Sequence, residues 1–197
     1  MAQHLMVLLL GLLVSGCVHS PNVQFYVLEP LSQTALPKLE SIKQRTIGIG
    51  PVTVPAMLER NQIITRSSDN TVTIVESQQW ASPLRDNLLQ ALTRNISTLQ
   101  SNNIVRPYPW SVHGAVDLQV IVDFIRFDTT PGKSANLEAN WTIKNESTRT
   151  VLKSGHSVIN RVMSDSSYPG TVRALSKILG EFSQELSLAL FNVQKGY

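Results

Sequence analysis

The side chains that could carry acid–base or metal chemistry are few and widely separated in this sequence. The histidines are His4, His19, His113 and His156, and the only cysteine is Cys17. A zinc site needs several such ligands at defined spacing, and no H-E-x-x-H, G-x-S-x-G or P-loop pattern occurs. Asp117 and Asp123 share a predicted strand at a separation of about 20 Å, which is too far for a paired-carboxylate site. We therefore predict no enzyme, no cofactor and no metal.

The one residue with a clear chemical role is Cys17. Residues 1–16 contain no Asp, Glu, Lys or Arg, and residues 6–14 read MVLLLGLLV. This apolar run is shorter than the about 20 residues that span a bilayer, and it is typical of a secretory signal peptide. Residues 14–17, V-S-G-C, resemble the bacterial lipobox, which implies cleavage before Cys17 and acylation of its thiol and new amino group. The alternative is that Cys17 is a small apolar residue inside the signal.

Lipidation would decide where the mature chain lies. Stable anchoring takes more than one acyl chain, so a triacylated Cys17 would hold the protein permanently. Val18 stands where an inner-membrane retention signal would have Asp, which points to the outer membrane. Residues 17–24 then form the lipidated Cys and a tether, which reaches at most about 25 Å. We expect the remaining residues, 25–197, to form a single domain close to that membrane.

Composition favours one globular domain and excludes several partners. The 197 residues have a net charge of +3, a hydrophobic fraction of 42% and a charged fraction of 16%. Lys and Arg are spread thinly along the chain, whereas nucleic-acid binding needs a clustered basic patch, so we predict no nucleic-acid partner. A single cysteine excludes an intrachain disulfide.

Apolar periodicity predicts one sheet with two major helices. The predicted strands are residues 25–28, 46–54, 62–66, 71–75, 104–105, 116–127, 137–144 and 150–163. The predicted helices are residues 83–99 and 168–193. Short turns join the last three strands and predict an antiparallel meander. The fold class is therefore α/β (or α+β), a single mixed and largely antiparallel sheet flanked by two helices that pack their apolar stripes on it.

Local signals refine these boundaries. Ser82 is a candidate N-cap for the first helix, with Pro83 at its first position, and the segment Asp165–Ser167 is a candidate cap for the second helix. Pro51 inside the second strand predicts a bulge or an edge position.

Four short segments resemble a known family. They are FYVL at residues 25–28, VTVP at 52–55, LERNQIITR at 58–66 and WASPL at 80–84. Their order and spacing resemble the PqiC/YmbA family of auxiliary lipoproteins of ABC-type and MCE-type transport systems. The resemblance covers essentially the whole mature chain. It implies a sheet with flanking helices and a location on the periplasmic face of the outer membrane. It also implies that the lipoprotein is the docking end for an inner-membrane-anchored MCE protein, which forms a tube for lipids across the periplasm and supports envelope integrity.

Four residues are candidates for contact with that partner: Leu58, Arg60, Arg66 and Trp80. We place Leu58, Arg60 and Trp80 in loops, which often carry function, and interface hot spots favour tryptophan and arginine. The alternative is that Trp80 closes the end of the core and that Arg66 pairs with a nearby carboxylate.

Other functions remain open at this point. An outer-membrane lipoprotein of this fold could instead serve as an assembly factor or a cell-envelope tether, or as a lipid carrier if the domain encloses an apolar pocket. A homo-oligomer is consistent with the symmetry of a tubular partner. The sequence identifies neither the lipid nor the direction of transport.

Overall fold

The computed structural model describes residues 22–32, 43–67, 70–110 and 114–196. The strands are β1 (Gln24–Tyr26), β2 (Thr46–Thr53), β3 (Gln62–Arg66), β4 (Val72–Trp80), β5 (Ile104–Pro107), β6 (Leu118–Thr130), β7 (Ser134–Asn145) and β8 (Val151–Val162). The helices are α1 (Leu84–Leu99) and α2 (Tyr168–Lys195), and a 3₁₀ turn covers Ala56–Leu58. The predicted signal peptide, Cys17 and His113 lie outside the described residues.

β6 is the long strand around which the sheet is organised, because both of its edges are paired. One edge pairs antiparallel with β7, and β7 in turn pairs antiparallel with β8. The other edge is shared between two strands. Leu118–Asp123 pairs parallel with β2, whereas Thr129 pairs parallel with Thr65 of β3. The sheet therefore continues in two branches beyond β6, one through β2 to β5 and one through β3 and β4 to β1.

The eight strands confirm the predicted fold class, a mixed and largely antiparallel sheet with two helices. The predicted meander is β6–β7–β8, and the predicted hairpin is β3–β4. The second hairpin strand is longer than predicted, because it continues through a polar stretch to Trp80, which pairs with Tyr26. Trp80 is thus the last residue of a strand and not part of a loop, and apolar alternation gave no signal for this extension.

Both helices pack on the sheet and on each other, and their buried apolar stripes confirm the predicted packing. The apolar stripe of α1 consists of Leu84, Leu88, Leu92, Ile96 and Leu99, and that of α2 of Val172, Leu175, Ile178, Leu179, Phe182, Leu186 and Leu190. Phe182 of α2 meets Phe124 of β6 edge to face, with ring centroids 5.8 Å apart.

The two helices begin differently. Ser167 caps α2 as predicted, because its Oγ accepts a hydrogen bond of 3.1 Å from the backbone N–H of Gly170. The predicted Ser82 cap of α1 is wrong. The helix begins at Leu84, so Pro83 occupies the N-cap position and Ser82 lies one residue too early to reach the free N–H groups. The Ser82 hydroxyl instead accepts a hydrogen bond from Nδ2 of Asn87.

Two bulges change which side chains face the helices. The register of β2 shifts between Ile49 and Val52, which confirms the bulge predicted at Pro51. A second shift in β6, between Phe124 and Arg126, brings Phe124 and Phe127 into the same buried core although they are three residues apart. Asp128 and Arg126 therefore lie on the opposite face of the strand from Phe127.

Candidate functional site

The four predicted contact residues lie at opposite ends of the β3–β4 hairpin. Leu58 and Arg60 precede β3, and Trp80 ends β4 beside them, since the Trp80 backbone N–H donates to the Asn61 carbonyl at 2.7 Å. Arg66 is the last residue of β3, about 13 Å along the strand from its first residue. The structure therefore brings three of the four candidates together and separates Arg66 from them.

Leu58 and Trp80 are core residues. Their exposed fractions are 5% and 4%, and both belong to the main hydrophobic cluster. The 3₁₀ turn holds Leu58 inward through its own N–H, which donates to the Pro55 carbonyl. Trp80 thus closes one end of the core, as the alternative interpretation held, and neither side chain is exposed for direct contact with a partner.

Arg60 is the exposed member of this group. Beside it lies a shallow cavity of about 200 Å³, formed by residues 59–61 and by residues 83–85 at the start of α1. Arg85 also lines this cavity, so two guanidinium groups flank one recess with Glu59. We call residues 59–61 and 83–85 the Arg60 surface.

Arg66 belongs to a buried ion-pair cluster at the other end of the hairpin. Its Nε donates to Oδ2 of Asp128 at 2.6 Å, and Nε of Arg126 donates to the same oxygen at 2.9 Å. The Asp128 side chain is 2% exposed, whereas those of Arg66 and Arg126 are 33% and 39% exposed. One carboxylate therefore holds two arginines from neighbouring strands, and the pairing of Arg66 with a nearby carboxylate is what the alternative interpretation proposed.

Amide side chains extend this cluster across the sheet. Asn136 of β7 donates from Nδ2 to Oδ1 of Asp128 at 3.1 Å. Asn160 of β8 in turn donates from Nδ2 to the side-chain Oδ1 of Asn136. The buried carboxylate is thus satisfied by donors from three strands, which fixes its position.

A concave, positively charged surface opens beside the cluster. Two adjoining cavities of about 370 Å³ and 490 Å³ share Arg66, Ser67, Thr130 and Lys133. Thr65, Thr73, Pro131, Ser166, Tyr168 and Thr171 also line the first cavity, and Asn70, Arg126 and Ser134 the second. We call the residues around both cavities the basic cleft. It lies where β3, the β6–β7 turn and the start of α2 meet.

Titrating groups at the start of α2 border the cleft. Hydrogen bonds from Ser167, together with the charge of Arg173, lower the pKa of Asp165. A carboxyl with a lowered folded pKa favours the folded state above its ordinary pKa, and this contribution is lost as the pH falls through the lowered value. Burial raises the pKa of Tyr168, and a hydrogen bond with Thr65 partly opposes the shift. At neutral pH, Asp165 is therefore charged and Tyr168 is a neutral hydroxyl.

Sequence reasoning missed Arg126, Asp128 and Lys133. The predicted strand ended at Phe127, one residue before the buried carboxylate, and Lys133 was assigned only to a turn. A signal was present in the spacing: Phe124 and Phe127 are three residues apart, which breaks a period of two and indicates a bulge. Beyond that bulge, Arg126 and Asp128 alternate on the face opposite Phe127.

The remaining candidates for chemistry have structural partners. Asp117 accepts a hydrogen bond from the Thr46 backbone N–H at 2.7 Å, and Asp123 accepts one from the Thr53 hydroxyl. His156 is exposed and contacts Asn140. Within the described ranges, no group of three His, Cys, Asp or Glu residues could hold a metal ion. No helix there is both long and apolar enough to cross a bilayer.

The fold is thus a sheet backed by two helices, with an arginine-lined recess at one end of the β3–β4 hairpin and a basic cleft at the other. Residues 26–187 match the family model described as the ABC-type transport auxiliary lipoprotein component. The chain belongs to this family, whose members are transport-associated lipoproteins of the cell envelope.

Individual relatives agree with this assignment. The chain is 29% identical over 104 residues to the intermembrane transport lipoprotein PqiC of Escherichia coli K12, and equally to that of Shigella flexneri. The match spans 53% of this chain and 56% of each relative, about half of their length. Among solved structures, protein XCC0632 from Xanthomonas campestris superposes with a TM-score of 0.73 at 16% identity, covering 88% of this chain and 98% of that protein. An uncharacterized protein superposes at 0.71 with 19% identity, covering 86% and 99%. These two structures show the shared fold.

Proposed function

We propose that this protein is a non-enzymatic, lipid-anchored auxiliary component of an MCE-type intermembrane lipid transport system. It is held at the periplasmic face of the outer membrane by Cys17 and docks an inner-membrane-anchored MCE tube protein. The observation that carries the proposal is the family match over residues 26–187, which includes both ends of the β3–β4 hairpin.

The proposed anchor lies close to the domain in the sequence. The described chain begins at Asn22 and β1 at Gln24, so few residues separate Cys17 from the sheet. Val23, Phe25 and Val27 are 43%, 64% and 54% exposed, which leaves an alternating apolar row on the segment nearest the anchor. A domain tied this close to its membrane needs a long partner to reach the opposite one, as a tube protein would.

Purification from crosslinked membranes tests the proposed partnership. Tagged wild-type protein is expected to bring down an MCE protein, and Cys17→Ala is expected to lose most of it, because the domain is no longer concentrated at the membrane. Quantitative mass spectrometry gives the ratio of the MCE protein recovered with Cys17→Ala to that recovered with wild type. The loss of the anchor is checked in the same samples by detergent phase partitioning.

The outcomes separate the two classes of function. If anchored wild-type protein captures only cell-wall or outer-membrane assembly proteins, the role of assembly factor or envelope tether replaces the transport role. Full recovery of the MCE protein with unlipidated Cys17→Ala would show that docking does not depend on the anchor. Crosslinked species of the tagged chain with itself would support the homo-oligomer that a symmetric tube favours.

We also propose that the Arg60 surface contacts the tube protein. Arg60→Glu reverses an exposed charge and leaves Leu58 and Trp80 buried, so the fold is expected to persist while recovery of the partner falls at least fivefold. Exposed charge pairs at an interface rim change association more than stability. The measurement is the amount of MCE protein recovered with each variant, normalised to the amount of bait.

Arg94→Glu is the matched control, because Arg94 is likewise exposed but lies on α1 away from the Arg60 surface. It is expected to recover the partner as wild type does. Equal recovery with Arg60→Glu and Arg94→Glu would remove Arg60 from the interface. Arg66 lies at the far end of the hairpin and is not part of the Arg60 surface.

A further inference from the structure

We propose that the basic cleft binds an oxyanion of the phosphate class, either a phosphate ester such as a lipid headgroup or free phosphate. This inference goes beyond the proposed docking role and stands on the described residues alone. Its carriers are Arg66, Arg126 and Lys133. Arg66 and Lys133 line both adjoining cavities, and Arg126 lines the second.

The charges in the cleft do not balance. Asp128 is the one carboxylate hydrogen-bonded to Arg66 and Arg126 within the described part of the chain, and it contacts each arginine through Nε. A guanidinium has five N–H donors, so these bonds leave most of each group's hydrogen-bonding capacity for a ligand. Lys133 forms no ion pair with any described residue. Among these described residues, two positive charges therefore remain beside a concave surface, which concentrates anions.

The polar lining favours a tetrahedral oxyanion over a carboxylate. Hydroxyl groups of Thr65, Thr73, Thr130 and Ser166 line the same cavity as Arg66 and Lys133. A phosphate group has three or four oxygens that accept charge-assisted hydrogen bonds from several directions, and arginine matches its geometry.

The dimensions suit a small ester. The cavity that reaches Tyr168 has a volume of about 370 Å³, which lies within the range of about 300–1,000 Å³ typical of ligand sites. Pro131 and the partly buried Tyr168 ring supply an apolar wall. A phosphate held by Arg66 and Lys133 would leave room there for the carbon atoms of a glycerol or similar ester group.

Calorimetric titration of the full lipidated chain in neutral detergent tests the site directly. The probes are inorganic phosphate and glycerophosphoglycerol, the deacylated headgroup of phosphatidylglycerol. Both are water-soluble and do not depend on a partner protein. Tighter binding of the diester identifies a lipid headgroup as the ligand, whereas tighter binding of inorganic phosphate identifies free phosphate. Absence of binding for both probes would overturn the proposal.

Lys133→Gln is the informative variant, because this exposed side chain lies outside the Asp128 cluster and its loss spares the fold. Removing one charge-assisted contact is expected to weaken binding about tenfold. The control is Lys153→Gln, an exposed lysine of β8 far from the cleft, which is expected to bind as wild type does. The proposal would be overturned if Lys133→Gln binds the probes as tightly as wild type does, or if both variants lose affinity equally. A failed co-purification of the MCE protein would not affect this result.

Discussion

Replacing Phe182 by alanine is expected to lower the free energy of unfolding by about 3–5 kcal/mol, the usual cost of truncating a buried phenylalanine. Phe182 is fully buried in α2, and its ring stacks edge to face on Phe124, which in turn meets Phe127 at 5.7 Å. Truncation removes the contact that joins the longer helix to the central strand and leaves a cavity between two rigid elements. Domains have total stabilities of about 5–15 kcal/mol, so the variant loses a large share.

Urea denaturation followed by tryptophan fluorescence measures this change as a lower midpoint with an unchanged slope. Phe25→Ala is the matched control, because Phe25 is also an aromatic residue but is 64% exposed on β1. The free energy of unfolding of this control is expected to stay within about 0.5 kcal/mol of the wild-type value. A loss below about 1 kcal/mol in Phe182→Ala would mean that α2 does not hold the core as described.

The parts of the fold that repeat regularly could be predicted from the sequence. Burial of one face alone imposes an apolar period of 3.6 residues on a helix and of 2 residues on a strand. The apolar stripe of α2 and the apolar–polar alternation of β7 follow these periods. β4 was only partly predicted, because residues 76–79 are polar and the pairing of residues 78–80 with β1 depends on a distant part of the chain. The Ser82 cap failed for a local reason: Pro83 is held in the N-cap position by helical bonds to its carbonyl.

In the candidate site, too, local sequence patterns identified some residues, whereas contacts between distant parts of the chain were missed. Arg60 and Trp80 were both named from family-like segments, but the sequence showed neither that they lie together nor that one side chain is exposed and the other buried. Arg66 was named without Asp128, because their contact joins positions 62 residues apart through a parallel pairing of β3 with β6. Convergence of this kind depends on sheet topology, which local periodicity does not encode.

Replacing Asp128 by asparagine is expected to cost about 2–4 kcal/mol of stability. The variant keeps the shape of the side chain but removes the charge that faces Arg66 and Arg126, and breaking a buried pair leaves its partners uncompensated. The expected cost is below that of a fully buried pair, because both arginines are about a third exposed and reach water. Urea denaturation measures it. Asp123→Asn, on the exposed part of the same strand, is the control and is expected to change stability by about 0.5 kcal/mol or less.

The same variant separates a purely structural cluster from a ligand site. If Asp128 only holds two strands together, Asp128→Asn lowers stability and leaves anion binding unchanged or weaker. If the basic cleft binds a phosphate group, removing the one carboxylate bonded to Arg66 and Arg126 raises the local positive potential, so affinity for glycerophosphoglycerol or phosphate is expected to rise severalfold while stability falls. A lower stability together with a higher anion affinity would show that Asp128 has two opposing effects. Its carboxylate orders the two arginines, and its negative charge weakens the binding of an anion to them.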